Sequence, residues 1–415
     1  MRVIVAVGGI GGLVTALSLH AAGIDCEVFE QSAQIRPLGV GINILPHAMR
    51  ELTELGLQER VVAAGVETRE LAYANRFGQM IWCEPRGRHA GYTWPQVSIH
   101  RGRLHMLLLD VVRERLGAAR IHLGARLAGT AEDATGVTAT FEDGRTARGT
   151  VLVAADGIHS ATRARFHPEE GAPKWNGAIL WRATSIAAPF LTGATMAQIG
   201  TRDTKFVVYP IAELPDGRRL TNWIAERRVD PAQPWNREDW NRPGRIEDFI
   251  GWFAEWRFDW LDVPALIRAA EAVFEFPMVD RDPLPRWTQG RVTLLGDAAH
   301  PLYPIGSNGA SQAILDARTR ALHLATAEDP VAALHAYEAI RRAATAALLE
   351  ATRGDGPDVV LDIAHARAPG GFDDIETVMP MSERSEIATR YKRLAGFEPA
   401  TLKARPSLSP PRRAA

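Results

Sequence analysis

The first thirty residues constrain the fold more than any other segment. Arg2 to Val7 has the pattern of a strand and Gly8 to Gly12 reads as a turn. Leu13 to Ala22 places Leu13, Ala16, Leu17 and Ala21 on one helix face, and Ile24 to Phe29 is a second strand ending at Glu30. Such a βαβ unit implies a parallel sheet, because a crossover helix joins parallel strands where a hairpin cannot. Its glycines add chemistry. A dinucleotide fold needs a tight turn, close backbone approach to a pyrophosphate and a small residue where helix meets sheet. It also needs an acidic residue about 20 positions on for the ribose hydroxyls. Gly9, Gly12 and Glu30 answer the last three needs, with Glu30 standing 18 positions after Gly12. Val7 occupies the first glycine position, so G-x-G-x-x-G is incomplete in either register. A β-branched residue does not readily take glycine-only backbone angles.

Two further strand-to-Asp units reinforce the α/β reading. In Arg291–Ala317, the apolar run Val292 to Leu295 breaks at Gly296-Asp297. Pro301 and Pro304 follow, then a loop with Gly306 and Gly309, and the pattern predicts a helix starting near Ser311. An Asp that can bind a ligand hydroxyl, glycines that admit a ligand to the backbone and free helix N–H groups together suit a polar, anionic ligand. About 140 residues earlier, Leu152 to Ala155 runs into Asp156-Gly157, with Ser160 and Arg163 beyond it. Each unit alone is an ordinary strand stop with a capped helix; the combination with the N-terminal unit is specific.

Composition sets the remaining bounds. The chain has 415 residues, a formal net charge of -1 and 46% hydrophobic residues, enough for a large core in two or three domains. Near-neutral charge gives no electrostatic reason to expect nucleic acid or an anionic membrane as a partner. Cys26 and Cys83 are the only cysteines. They have no metal or redox spacing, so a reduced cytoplasmic protein without a metal site is expected. Glycines interrupt the apolar N-terminus, which therefore reads as strand, turn and helix rather than as a signal peptide. No uninterrupted apolar run approaches the ~20 residues of a membrane span.

Along the chain, Leu38 to Leu57 reads as a Gly-rich loop and helix, Arg103 to Leu116 as an amphipathic helix and Ala119 to Asp143 as strands and a hairpin. From Trp175 to Phe276 the texture becomes Trp-rich and strand-like, with Pro and Gly turns, and suggests a mainly antiparallel sheet. Because α/β texture resumes at Arg291, this sheet reads as an insertion. Trp252, Trp256 and Trp260 have the i, i+4 spacing of one helix face, and Arg227-Arg228 reads as a solvated turn. Long helices are expected at Ser311–Ala327 and Ala332–Ala351. The Pro-, Ser- and Arg-rich segment from Pro399 reads as a disordered tail.

GGIGGL at the N-terminus, ADGIHSATR and GDAAHPLYPIGSNGASQAILDA resemble the single-component, FAD-dependent aromatic hydroxylases of the para-hydroxybenzoate hydroxylase type. LGVGINILPHAMRELTELGL, the WRA at Trp181–Ala183, GPDVVLDIAHARAPGGFDDIETVM and YKRLAGF are similar to a narrower branch. That branch includes the phenazine-modifying monooxygenase of pyocyanin biosynthesis. The resemblance covers most of the chain. It implies an α/β (α+β overall) fold, a Rossmann-like FAD-binding domain with an inserted mainly antiparallel β-sheet substrate domain and C-terminal helices. The FAD-binding domain would comprise 1–70, 96–174 and 285–350, and the substrate domain 71–95 and 175–284. A helical segment at 351–398 and the tail at 399–415 would follow.

The same resemblance assigns roles. Gly9, Gly11 and Gly12 would face the FAD pyrophosphate, Glu30 the adenosine ribose and Leu127 the adenine. Arg101 would reach the phosphate and ribityl region, and Asp156 would support FAD and NAD(P)H binding. Asp297 would hold the ribityl chain, Pro304 and Gly306 would line the flavin ring with Asn308 and Gly309, and Ala310 would open a helix toward the flavin N1–C2=O edge. Tyr209 and Trp223 fall on strands of the insert, where they line an aromatic pocket or fill a core; Arg182 is a candidate carboxylate partner or a surface residue. His159 and His300 read as turn residues rather than bases. The implied activity is hydroxylation of an aromatic carboxylate by NADH or NADPH and O2, through a flavin C4a-hydroperoxide, in a monomer or homodimer. The substrate would be of the phenazine, hydroxybenzoate or anthranilate kind, with or without loss of CO2. NAD(P)H would bind transiently, having no nucleotide domain of its own. Two other readings remain open: a flavin-dependent dehydrogenase or reductase without oxygen insertion, and a pseudoenzyme whose Val7 weakens FAD binding.

Overall fold

Val3, Ile4, Val5 and Ala6 are all buried, as are Val151 to Ala154 and Val292 to Leu294. Continuous burial of this kind marks strands covered on both faces. In the computed structural model, which describes residues 1–230, 242–354 and 356–410, these strands share a six-stranded sheet. Its order is Thr288–Gln289, Val292–Leu294, Val151–Ala154, Arg2–Ala6, Asp25–Phe29 and Ile121–His122, parallel except at the Thr288–Gln289 edge. The helices Ile10–Ala21, Arg101–Leu116 and Gly309–Thr326 pack on one face around Leu13, Leu17, Leu104, Leu108, Ile314 and Leu324. A three-stranded antiparallel sheet, Leu127–Glu132, Val137–Phe141 and Thr146–Gly149, covers part of the other.

The second layer is an eight-stranded sheet. Its order is Arg242–Pro243, Ala270–Asp280, Lys174–Ala187, Arg219–Arg228, Thr204–Glu213, Thr195–Gly200, Glu70–Ala74 and Met80–Pro85, with one parallel pairing, Thr195–Gly200 on Glu70–Ala74. Strand alternation divides its side chains between two cores. Trp181, Ala183, Phe206, Val208, Trp223 and Ala225 face the segment holding Phe249, Phe253 and Leu266. Leu180, Val207, Tyr209, Ile224 and Met278 face the other way, toward Tyr303 and the helix Val359–Arg367.

Four local expectations are corrected. The tryptophan trio does not share a helix face. Trp252 lies in the 3-10 turn Ile250–Phe253, whereas Trp260 lies in the hairpin turn between Arg257–Phe258 and Leu261–Asp262 and donates to the Gly78 carbonyl. Tertiary partners of the three indoles override the helical spacing. Arg227 and Arg228 end the strand Arg219–Arg228 rather than forming a turn. The helix expected near Ser311 starts at Gly309. The segment from Pro399 is not a disordered tail where it is described: Pro399–Ala404 is helical. The Leu402 and Arg405 carbonyls accept from buried Arg50, and Ser407 and Ser409 donate to Glu54. A buried Arg and two acidic side chains, Glu51 and Glu54, supply the anchors that composition could not reveal. Residues 411–415, and Trp235 and Trp240 of the tryptophan-rich region, lie outside the described residues.

Candidate functional site

Between the layers lies a cavity of about 490 Å³. Val7, Gly9, Ile10 and Gly11 line one end; Asp156, Gly157, Asp297, Gly306, Gly309 and Ala310 line its flank; Arg101, Gly41 and Asn43 line the side opposite. The sheet floor contributes Leu180, Arg182, Gln198, Lys205, Val207, Tyr209, Ile224 and Glu226. The three strand-turn units of the sequence therefore converge on one space.

Two helices start at this cavity without a side-chain cap. Ile10–Ala21 begins after Gly9 and Gly309–Thr326 after Asn308, so their first N–H groups have no side-chain acceptor. Uncapped helix N-termini hold partial positive charge and attract anions. A Cβ built on Gly9 or Gly309 would meet nothing within 4 Å, so both open onto empty space.

Val7 does adopt the glycine-like geometry that its branched side chain disfavours: its φ is 87°. Its N–H donates to the Phe29 carbonyl at 2.7 Å, and its own carbonyl sits where a Cβ on Gly12 would fall, at 2.0 Å. The turn is thus retained despite the missing glycine, and Gly12 is required by helix-to-strand packing rather than by the cavity wall. Glu30 is buried, and its two oxygens accept from Gly8 N–H and Ser32 N–H at 2.8 Å each. His105, which sequence reasoning missed, contacts the Gly8 carbonyl through Nε2 at 2.6 Å and braces the same loop. Leu127 opens the strand Leu127–Glu132, away from the cavity wall.

The Asp156-Gly157 and Gly296-Asp297 turns are tied together by Arg163. This buried guanidinium donates to the carbonyls of Ala298 and Ala299, to that of Asp282 and to Glu170. Ser160 caps the helix that carries it, accepting from Arg163 N–H at 2.9 Å. Asp156 accepts from Thr162 N–H through Oδ2, while its Oδ1 is buried without a partner. Asp297 is enclosed by protein yet open to the cavity, and burial raises its carboxyl above the ordinary value against the opposing pull of His300 and Arg101. Behind this turn, Asp316 accepts from His300 at 2.5 Å, Arg341 at 2.7 Å and Gly296 N–H at 3.1 Å. His300 is therefore a bracing residue.

Asn308 does not present its side chain to the cavity. Its amide donates to the Gly306 carbonyl and Tyr391 Oη, and its oxygen accepts from Gln312. Trp223 is likewise corrected: fully buried on the far face of the sheet, it donates to Ser185 Oγ at 2.9 Å and fills the core. Alternation puts Tyr209 on the cavity face instead. Arg182 joins it there beside the Tyr209 hydroxyl, donating to the Gly41 carbonyl at 3.2 Å, with its Nε unpartnered. Burial lowers the Arg182 pKa below the usual guanidinium range and pushes the Tyr209 phenol up to about 12. Arg182 makes no ion pair with a carboxylate among the described residues.

A nucleotide-sized groove with two bare helix N-termini, opening onto a sheet-floored chamber, defines a flavoprotein of the hydroxylase type. A sequence profile described as "FAD binding domain" matches residues 1–236 and 275–352. The phenazine 1,6-dicarboxylic acid hydroxylase of Lysobacter antibioticus is 47% identical over 362 residues, covering 85% of this chain and 89% of its own. The aurachin C monooxygenase/isomerase of Stigmatella aurantiaca is 33% identical, covering 82% and 85%. Among solved structures, Klebsiella pneumoniae HpxO complexed with FAD and uric acid superposes with a TM-score of 0.75 at 25% identity over 97% of each chain. The chain belongs to the FAD-binding family of aromatic-ring hydroxylases. It is an FAD-dependent monooxygenase that uses NAD(P)H and O2 on a small aromatic substrate. No described helix is long and apolar enough to cross a membrane, and no described cluster of His, Cys, Asp and Glu could hold a metal ion.

Proposed function

We propose that this enzyme hydroxylates an aromatic carboxylate of the phenazine, hydroxybenzoate or anthranilate kind. The observation that carries the reading is Arg182: a half-buried guanidinium facing the chamber beside Tyr209, hydrogen-bonded to Gly41 but paired with no carboxylate. A buried charge without a counter-charge is costly, so a ligand carboxylate is its natural complement.

The residues present fit FAD. The N–H groups at Ile10 and Gly11 would receive the pyrophosphate, and Glu30, which keeps lone pairs beyond its two backbone bonds, would accept from the adenosine ribose. Arg101 would reach the phosphate side, Asp297 the ribityl hydroxyls and Asp156, through its orphaned Oδ1, the same polar edge. Pro304 and Gly306 would lie against the ring, and the N-terminus at Gly309-Ala310 would favour negative charge on it. Bound FAD supplies the activated oxygen once NAD(P)H has reduced it. The protein's part is to hold the substrate carboxylate at Arg182 and Tyr209, bury the ring over Val207 and Ile224, and exclude water. Leu127 lies off the chamber wall and would act only through its backbone at the adenine end. NAD(P)H binds transiently, and the enzyme works in the cytoplasm as a monomer or homodimer. NAD(P)H oxidation by the FAD-loaded protein across a panel of aromatic acids, with 18O2 as oxidant, tests the reading. Label in the product is expected; substrate-stimulated oxidation without label would instead mark a dehydrogenase.

A further inference from the structure

The chamber has a second polar end that the hydroxylase chemistry leaves unused. Lys205 Nζ lies 2.7 Å from Asp358 and 3.1 Å from Glu226, and all three side chains are buried and line the cavity. Lys205 and Glu226 are direct cross-strand partners, and Arg182 pairs with Ile224, which pairs with Val207. Lys205 therefore stands two strands across and two residues along from Arg182, about 12 Å between Cα atoms at ordinary strand spacings. The floor between the two ends is apolar, made of Leu180, Val207 and Ile224 with Met196 and Met278 beside it. Asp358 comes from outside the sheet, just before the helix Val359–Arg367, so the C-terminal segment completes this end. It also lies beyond the residues matched by the family profile.

We propose that the Lys205–Glu226–Asp358 end recognises a hydrogen-bond-donating group, so that the substrate carries one carboxylate and, across its ring system, an amine, a hydroxyl or a protonated ring nitrogen. This rests on the reading that Arg182 takes the carboxylate. One cation stands between two carboxyl groups, so the cluster bears a charge of minus one with all three ionised and zero with Glu226 protonated. In neither state is it positive. Asp358 is held below the ordinary carboxylate range, burial being outweighed by Lys205, whereas burial, opposed by Lys205, raises Glu226. Lys205 is the one cation within ion-pair distance of Glu226 among the described residues. A donor group meets carboxyl oxygens here, and a second carboxylate meets like charge with little solvent to screen it.

The test is calorimetric binding to the FAD-loaded enzyme of four probes that differ at one position. They are phenazine-1-carboxylate, its 6-amino and 6-hydroxy derivatives, and phenazine-1,6-dicarboxylate. The amino and hydroxy compounds are expected to bind at least tenfold tighter than the dicarboxylate and at least threefold tighter than the unsubstituted acid. Glu226→Gln, which keeps one acceptor and adds a donor, is expected to improve the dicarboxylate at least fivefold relative to the amino compound. A structural role alone would weaken all four by a common factor, and that result overturns the proposal. So does a dicarboxylate that binds wild type as tightly as the donors do. If Glu226→Gln does not fold, the wild-type series decides alone. Arg182→Met separates the two readings: it should weaken all four probes together, and unchanged affinities would remove the carboxylate assignment, whatever the order among the four.

Discussion

Adding a methyl group at Gly306 should test how the C-terminal helices act on the flavin-facing loop. Gly306 has a φ of 71°, and a Cβ there would fall 1.8 Å from Tyr391 Oη and 2.5 Å from Tyr391 Cζ. Tyr391 is buried, on the helix Met381–Leu394, and its hydroxyl accepts from Asn308 at 2.8 Å. Gly306→Ala therefore combines two costs. An L-residue held in the left-handed region costs about 1–2 kcal/mol. Displacing Tyr391 breaks a buried hydrogen bond and leaves a buried amide N–H unsatisfied, about 1–3 kcal/mol. The smaller unfolded-state entropy of alanine offsets about 0.4–1 kcal/mol. The net expectation is a loss of about 1–5 kcal/mol, together with weaker FAD retention, because the displaced loop lines the cavity. Tyr391→Phe removes the clashing oxygen, so Gly306→Ala should cost less in that background. Urea denaturation of the four proteins of this cycle should give a coupling of at least about 1 kcal/mol. Additive losses would refute the claim that Tyr391 and Gly306 meet.

Four shorter predictions follow from the same geometry. Val7→Gly should leave FAD affinity within threefold, since the backbone already takes the required angle; a tenfold gain by equilibrium dialysis would show instead that the valine side chain obstructs the cofactor. Tyr209→Phe should raise the substrate dissociation constant about tenfold, the loss of one hydrogen bond to a charged group. Trp223→Phe should lower the urea midpoint with the Michaelis constant unchanged within twofold, and a rise in that constant would return Trp223 to the pocket. Asp316→Asn should cost about 3–5 kcal/mol near neutral pH by breaking a buried ion pair. His300 and Arg341 outweigh burial and hold the Asp316 carboxyl below its ordinary 3.8. Its contribution is therefore complete above that value and is lost as pH falls toward the lower folded one. The gap between wild type and variant should shrink below about pH 4; a gap that widens in acid would reverse the assigned direction.

The nucleotide-binding layer was legible because its cues are local. Within each strand-turn-helix unit the strand pattern, the turn and the helix spacing fall within about 30 residues of one another, and they hold in the structure even where one residue breaks the motif. Val7 illustrates the limit of that reading: the missing glycine was visible, but not the neighbours that hold its backbone at a positive φ. The segment after Pro399 shows the converse. Its composition is that of a loose tail, yet Arg50, Glu51 and Glu54, some 350 residues away, fix it in place. No local property of the segment carries that information.

The chamber was least legible for the same reason. Which face of the inserted sheet looks into the cavity is a question of parity, and one residue of register exchanges Trp223 for Asn222 and Tyr209 for Val208. Sequence alone named Tyr209 and Trp223 as equals, because both are aromatic residues on strands. The ladder Tyr209 to Asn222 separates them, since Trp223, one residue on, must face the opposite core. The same parity brings Lys205 and Glu226 together on the cavity side, and Asp358 reaches them from another segment altogether. Motifs that bind a shared cofactor recur along one stretch of backbone, whereas groups that choose a substrate are assembled across strands. The substrate of this enzyme is accordingly written in the pairing of its sheet and in the helix that closes it, and the donor-reading end at Glu226 is where relatives with a different charge pattern should differ in what they accept.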